Sequence, residues 1–260
     1  MTRAPALIAL GLVALALSLL AGCAGDDETV TDTGTTTGPA ETSTVRVYWL
    51  RDGKVWPVAR EVDSTSDSGA LISEAIDQLL LGPTDDEVSE LGSSTAIASD
   101  IHELPASDAS GRVSIELPSP QPEAALAQIV YTLTQFPDVR SLEIDARTLT
   151  RTDFDEYTPA ILVESPLAFE EVESPLRATG TANTFEANFQ YEVLDPDGEI
   201  VTQNFVTATS GNGTRGTFDF TTADFTVAED GDVTLIVLEL SAEDGSRINE
   251  VEIPLRMSEG

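Results

Sequence analysis

Between residues 45 and 144 the apolar positions alternate between a period of two and a period near 3.6. Val45–Leu50 and Val55–Val62 are β-rich runs separated by Asp52-Gly53, and such a pair between two strands predicts a hairpin because both turn positions want positive φ. Leu71, Ile72, Ala75, Ile76, Leu79 and Leu80 recur at helical spacing, which predicts a helix over about 70–81. Asp67 or Ser68 can cap its start, and Gly82-Pro83 ends it. Residues 84–94 read as a polar connection. Residues 96–104 and 112–117 read as two strands joined through residues 107–111. Ser119-Pro120 opens a second helix, whose apolar face is Ala125, Leu126, Ile129, Val130, Leu133 and Phe136, and Pro137 stops it. Residues 139–144 are a last strand. The order β-β-α-β-β-α-β predicts an α+β domain, two helices on an antiparallel-rich sheet.

Residues 147–159 are polar and end in Pro159, and the domain boundary is placed there. Beyond it no helical period occurs. Phe185, Ala187, Phe189, Tyr191 and Val193 alternate with Glu186, Asn188, Gln190 and Glu192, the pattern of a half-buried strand. Turn signals at Asp195-Pro196-Asp197-Gly198 and Asp244-Gly245 separate further runs over 199–208, 217–225, 233–240 and 248–255. About seven short strands in about 100 residues predict an all-β, immunoglobulin-like sandwich. The expected organisation is therefore a segment over 1–22, a second over 23–44, an α+β domain over 45–147, a linker over 148–159 and a sandwich over 160–257.

The first two segments carry the clearest address. Arg3 precedes an apolar run from Ala6 to Leu20, closed by small residues and Cys23, the single cysteine of the chain. A basic start, an apolar core of about 15 residues and a small-residue close read as an export signal. A spanning helix needs about 20 apolar residues. Leu20-Ala21-Gly22-Cys23 resembles the lipobox of bacterial lipoproteins. That resemblance implies cleavage before Cys23, a lipid on its thiol, and an acylated new amino group. An ordinary signal or an uncleaved anchor would use the same apolar run, but the position of the one cysteine favours the lipoprotein. Several acyl chains hold a protein firmly, since each buried methylene contributes about 0.8 kcal/mol. The expected location is the outer face of the bacterial cytoplasmic membrane, with the membrane contacted through lipid on Cys23. Residues 24–44, mostly Thr, Gly, Asp and Glu, cannot bury a core and would form a tether with a mean span of about 25 Å.

Charge narrows the partners. Forty-six acidic residues against 13 basic ones give a net charge of -33, and Lys54 is the single lysine. Such a surface repels nucleic acid and anionic headgroups, so both are excluded as ligands of the folded domains. It also repels itself until salt screens it, beyond about 10 Å at 0.1 M. This predicts a protein stabilised by salt, from salty or alkaline surroundings. With Cys23 lipidated no disulfide can form, so packed cores must hold the domains.

Each catalytic constellation finds little support in the sequence. His102 is the sole histidine, placed on a predicted strand without a nucleophile-elbow motif, and zinc would have only carboxylates to add to it. Acidic pairs such as Asp85 and Asp86 are guaranteed by number and read as a solvated face. Asp195, Asp197 and Glu199 hint at calcium, as do Asp230, Asp232 and Asp244 beside Gly245. Neither set has the ligand spacing of a full calcium loop, so both read as turns. Gly211-Asn212-Gly213 lacks the spacing and the lysine of a phosphate loop. Tyr48 and Trp49 point to opposite faces of one strand. One of them with Trp56 could form an exposed sugar-binding patch, against core packing as the plainer reading. No cofactor, metal site or catalytic residue is expected, and ligand-binding residues are not assigned.

Two wider resemblances follow from particular runs. Leu79-Leu80-Leu81-Gly82-Pro83, Ser94-Thr95-Ala96-Ile97 and the long run from Leu126 to Pro137 resemble the GerMN domain of sporulation and spore germination proteins. Ala98 stands where that family often has proline. Ser165-Pro166, Ser174-Pro175-Leu176, Gly180-Thr181-Ala182, Phe185 to Phe189, Asp195 to Gly198, Ser241-Ala242, Asp244-Gly245-Ser246 and Glu250 to Pro254 resemble the immunoglobulin-like domain of bacterial spore germination proteins. Together they cover about residues 45–257. GerMN-type folds resemble ring-building domains of envelope assembly machines, which implies protein–protein association, and no established catalytic residue transfers to this chain. The expectation is a non-catalytic, lipid-anchored binding or scaffolding protein of the cell envelope, whose partner is another envelope protein or cell-wall polymer. The alternatives are a wall hydrolase using a carboxylate pair and a ligand-sensing lipoprotein serving a membrane receptor.

Overall fold

A computed structural model describes residues 42–258 apart from 65–66, 102–103, 105, 110–111 and 228–230. The signal segment, Cys23 and nearly all of the tether lie outside the described residues, as do His102 and Asp230. Among the described residues no helix is long and apolar enough to cross a membrane.

The described residues open with the expected hairpin, β1 (Thr42–Arg51) paired antiparallel with β2 (Lys54–Asp63). Asp52 and Gly53 turn it at φ 51° and 74°. The first helix, α1 (Ser68–Leu81), begins where the Asp67 side chain accepts from the Gly69 amide and ends at Gly82, φ 81°. The predicted polar connection after it contains a further helix, α2 (Asp85–Leu91). Its start is a capping box: Thr84 accepts from the Glu87 amide, and Glu87 accepts from that of Thr84. Asp85, Asp86 and Glu87 fill its first turn, where the helix dipole favours negative charge. Acidic residues that look like loop composition are here helix-starting residues.

Among the described residues of 96–104 the expected strand does not form. Its backbone donors are taken by side chains instead of a ladder: Gln128 Oε1 accepts from the Ala96 amide at 2.8 Å and Gln121 Oε1 from that of Ala98 at 3.2 Å. Ile101 and Leu104 are still buried. The strand falls later, at β3 (Ala106–Ala109), in the predicted connection, and pairs with β4 (Arg112–Ile115). The helix α3 (Glu123–Leu133) crosses over to β5 (Ser141–Ile144), which lies parallel to β4, and β6 (Arg147–Leu149) closes the sheet in the order β3-β4-β5-β6. The first half is the expected α+β domain, rich in antiparallel pairs, and among the described residues it has a further short helix, α2, and carries its strands as a separate hairpin and a mixed four-stranded sheet.

Every residue of α3 from Ala125 to Leu133 is buried. A helix apolar almost all round must be covered on all sides. Its polar members fall at four- and three-residue spacing and face the free edge of β1. Tyr48 donates its amide to Thr132 Oγ1 at 3.1 Å, and Gln128 Nε2 donates to the Tyr48 carbonyl at 3.0 Å. Gln135, just past the helix, accepts from the Arg46 amide at 2.7 Å and donates to its carbonyl at 2.6 Å. Ser94 bridges Leu50 in both directions at 2.8 Å. These side chains stand where a third strand would, so the hairpin edge carries no orphaned backbone groups at these positions.

The segment after β6, read from sequence as a linker, is a 3-10 turn over Arg151–Tyr157 with Phe154 fully buried. The sandwich follows: β7 (Ile161–Ser165), β8 (Glu171–Val172), β9 (Arg177–Ala182), β10 (Asn188–Leu194), β11 (Ile200–Thr207), β12 (Gly216–Thr221), β13 (Val233–Leu240) and β14 (Arg247–Met257). One sheet runs β12-β9-β7 and the other β11-β10-β13-β14-β8. Aromatic rings fill the space between them, with Phe189 and Phe218 5.0 Å apart and Tyr191 stacked on Phe220 at 4.8 Å. A Cβ on Gly180 of β9 would lie 2.0 Å from the Leu162 carbonyl oxygen, so only glycine fits there. The predicted strand beginning at Phe185 starts instead at Asn188. Glu186 and Ala187 take positive φ in a 3-10 turn, which leaves Phe185 on the surface. Both halves belong to one unit, residues 40–260.

Candidate functional site

The seam between the halves is built by residues from three places. Tyr48 of β1 donates its hydroxyl to Glu164 of β7, and Arg151 of the 3-10 turn donates to the same carboxylate at 2.8 Å. Arg46 donates to the Glu164 carbonyl at 3.1 Å. Arg151 also donates to Thr134 Oγ1 at 2.7 Å and lies 4.7 Å from the Tyr131 ring centroid. Burial alone would raise the Glu164 carboxyl, but the Arg151 charge and the Tyr48 hydroxyl outweigh it and hold it below the usual carboxylate range. Burial, reinforced by the Glu164 charge, pushes the Tyr48 hydroxyl far above the usual phenol range. The phenol thus stays protonated and can only donate to this partner. The Glu164 carboxylate at the centre of the cluster is paired with Tyr48 and Arg151, which suits a lock, while the buried Arg46 Nε beside it has no partner among the described residues.

Two cavities open along the same seam. One, of about 440 Å³, is lined by Val58, Leu91, Phe169, Glu61, Glu87 and Glu170 among others. Its carboxylates are largely committed: Glu87 is bound by Arg60, at 2.6 Å from Nη2, and by the Thr84 amide, while Glu170 accepts from the Leu167 amide at 2.7 Å. The other, of about 220 Å³, lies between the hairpin turn, Pro159-Ala160 and β14, and Arg51, Lys54 and Trp56 line it.

The third feature is on the outer side of the five-stranded sheet. Phe189, Tyr191 and Val193 of β10 face the core, so Gln190 and its partner Phe205 on β11 face out. Phe205 is 66% exposed, Phe185 55% and Leu240 38%. The three line one groove of about 190 Å³ with Glu186 and Glu239. β11 is a sheet edge, and apart from Val206 little of it is buried.

The residues singled out in the sequence do not converge. Tyr48, Trp49 and Trp56 are all buried, which removes the exposed aromatic patch. Trp49 and Trp56 are direct cross-strand partners, and both faces of the hairpin are covered. Asp195 Oδ1 accepts from the Asp197 and Glu199 amides at 3.0 and 2.9 Å, and Asp244 Oδ1 from the Ser246 amide at 3.0 Å, so each carboxylate is occupied in shaping its own turn. Among the described residues no group of three or more His, Cys, Asp or Glu side chains could hold a metal ion. The lock residues Arg151 and Glu164 gave no signal in the sequence, standing in a polar stretch and on an unremarked strand. The surface position of Phe185 was masked by an alternation that continues one turn too far.

These features define a two-domain protein, an α+β half joined to an all-β half. Residues 46–147 match the family described as sporulation and spore germination, and residues 160–246 match the immunoglobulin-like domain of bacterial spore germination. The chain is a GerMN plus immunoglobulin-like germination protein. Among solved structures, the tandem GerMN domains of the sporulation protein GerM from Bacillus subtilis are similar at 26% identity and a TM-score of 0.33. That match covers 42% of this chain and 42% of the other, so the chain spans about two fifths of it. CopC from Methylosinus trichosporium OB3b is similar at 17% identity over 38% of this chain and 92% of that one, with a TM-score of 0.27. No curated protein matches the chain.

Proposed function

We propose that this is a lipid-anchored protein of the outer face of the cytoplasmic membrane that scaffolds another envelope protein and performs no catalysis. The reading rests on the groove rimmed by Phe185, Phe205 and Leu240. Large apolar side chains gathered on the surface of a protein with net charge -33 mark a docking face, since isolated exposure would need no explanation but clustering does. The groove is also lined by Glu186 and Glu239, and the whole chain repels a second copy of itself. Its occupant is therefore a basic segment of a different protein carrying an apolar anchor. Cys23 holds the scaffold at the membrane, and the tether lifts the domains off the headgroups. The commitment of Glu87, Glu170 and Glu164 to structural bonds speaks against a hydrolytic carboxylate pair.

The test is photo-crosslinking in living cells from position 205, with position 219 on the opposite sheet as the control. A discrete adduct with a basic protein from 205, absent from 219 and diminished by Glu186→Lys, is the expected result. Adducts to wall polymer, or equal adducts from both positions, would overturn the scaffold. For the anchor, mass spectrometry of the mature N-terminus should find lipid on Cys23, and Cys23→Ser should release the protein from the membrane. A mature N-terminus at Cys23 without lipid, or a Cys23→Ser protein that is still cut after Gly22 and still membrane-bound, would sink the lipidation.

A further inference from the structure

Arg51 and Lys54 are direct cross-strand partners at the end of the hairpin. Like charges directly opposite destabilise a strand pair. The chain has 46 acidic residues with which to neutralise them, yet neither cation takes part in an ion pair among the described residues. Both are held by neutral groups instead. Arg51 lies 4.7 Å over the Trp56 ring and donates to the Glu252 carbonyl at 3.3 Å, and Lys54 donates to the Glu156 carbonyl. Both charges are positioned without an ion-pair partner, and both line the 220 Å³ cavity. Trp56 lines it too.

We propose that this cavity binds a small carboxylate, with the anion between Arg51 and Lys54. Several observations fix the class. The volume has room for roughly seven waters, or one molecule of monosaccharide size. Asp52 and Glu250 also line the cavity. Glu250 is bound by Arg247 at 2.5 Å, and Asp52 is exposed at the turn. Two nearby carboxylates repel a dianion more than a monoanion, so a carboxylate fits better than a phosphate. An arginine fork and a lysine ammonium together bind such a group through charge-assisted hydrogen bonds. The site is separate from the outer sheet face and does not depend on the docking proposed there.

The shared chemistry, a small carboxylate, occurs in acidic sugars and in acylated amino acids. The test titrates the full-length protein in detergent micelles with D-glucuronate, N-acetylalanine, N-acetylalanine methyl ester and inorganic phosphate, following the fluorescence of its two tryptophans. A saturable change with one of the carboxylates is expected, and the arm that responds identifies the source. The methyl ester should give none. Lys54→Gln should weaken binding about tenfold or more, and Lys54→Arg should restore it. Arg51→Gln should act likewise, although it also uncovers Trp56, so the lysine variants and the ester are the deciding arms. No saturable change with either carboxylate, equal binding of the ester, tighter binding of phosphate, or an unaffected Lys54→Gln variant would each overturn the site.

Discussion

The hydroxyl of Tyr48, on the first strand of the α+β half, donates to the carboxylate of Glu164, on the first strand of the sandwich. Arg151, from the turn between the halves, completes the triangle. Removing one member of a buried charged pair strands the other, which typically costs about 3–5 kcal/mol. Glu164→Ala should therefore destabilise the protein by about 3 kcal/mol, the low end, because the Arg151 side chain keeps 25% exposure. Tyr48→Phe removes only one hydrogen bond to a charge and should cost about 1–3 kcal/mol. Urea unfolding midpoints measure both. A Glu164→Ala midpoint equal to wild type would mean that the lock contributes nothing.

The same carboxylate sets a pH dependence. Glu164 and Glu87 titrate below their ordinary value of 4.5 in the fold. Their contribution is complete above that value and is lost as pH falls through the lower folded values. Protonation of exposed carboxylates acts in the opposite direction over the same range, because it relieves the repulsion of a surface at -33. The wild-type melting curve alone mixes the two effects. The gap in melting temperature between wild type and Glu164→Gln isolates the lock. It should stay constant above about pH 6 and shrink below 4.5. A gap that widens on acidification would reverse the assignment.

Salt should stabilise the folded halves. Many of the acidic side chains are exposed, and screening acts most strongly on exposed charges. Melting temperature is expected to rise between low and molar salt. Because the lock is buried, Glu164→Ala should lose about as much stability in high salt as in low. A flat or falling melting temperature would remove the saline-habitat reading.

Gln128 offers a sharper probe of the fold. Its amide joins the Tyr48 carbonyl to the Ala96 amide, both buried or nearly so. Gln128→Leu keeps the apolar helix and by propensity alone looks harmless. It leaves two polar groups unmade, at about 1–3 kcal/mol each. The expected result is a clear drop in urea midpoint and faster hydrogen exchange at Ala96. An unchanged midpoint would show that water replaces the glutamine.

Much of the architecture was legible because its causes are local. The Asp52-Gly53 hairpin, the limits of α1 and the turns at Asp195 and Asp244 each follow from a few neighbouring residues. Errors arose where a local pattern had two readings. Asp85-Asp86-Glu87 is loop composition and also a good first helical turn, and the capping partnership of Thr84 with Glu87 decides between them. The apolar residues 96–104 look like a strand, but Gln121 and Gln128 claim their backbone, and both glutamines lie more than 20 residues away.

The candidate site was less legible than the fold. By itself the sequence determined the period of the hairpin, of α1 and α3 and of most sandwich strands, the division into two domain types, the charge and the placement of the one cysteine. All of these depend on neighbours along the chain or on simple counting. Tertiary structure alone decided that Tyr48, Arg151 and Glu164 meet, that Arg51 and Lys54 share a cavity with Trp56, and that Phe185 joins Phe205 and Leu240 at the surface. The first and last of these groupings bring together residues tens to more than a hundred positions apart, and the second is closed by Pro159-Ala160 and β14, about a hundred positions or more beyond the hairpin. The physical reason is that packing selects such contacts globally, by burying the largest apolar area with the fewest unmade hydrogen bonds, and leaves no local period to read.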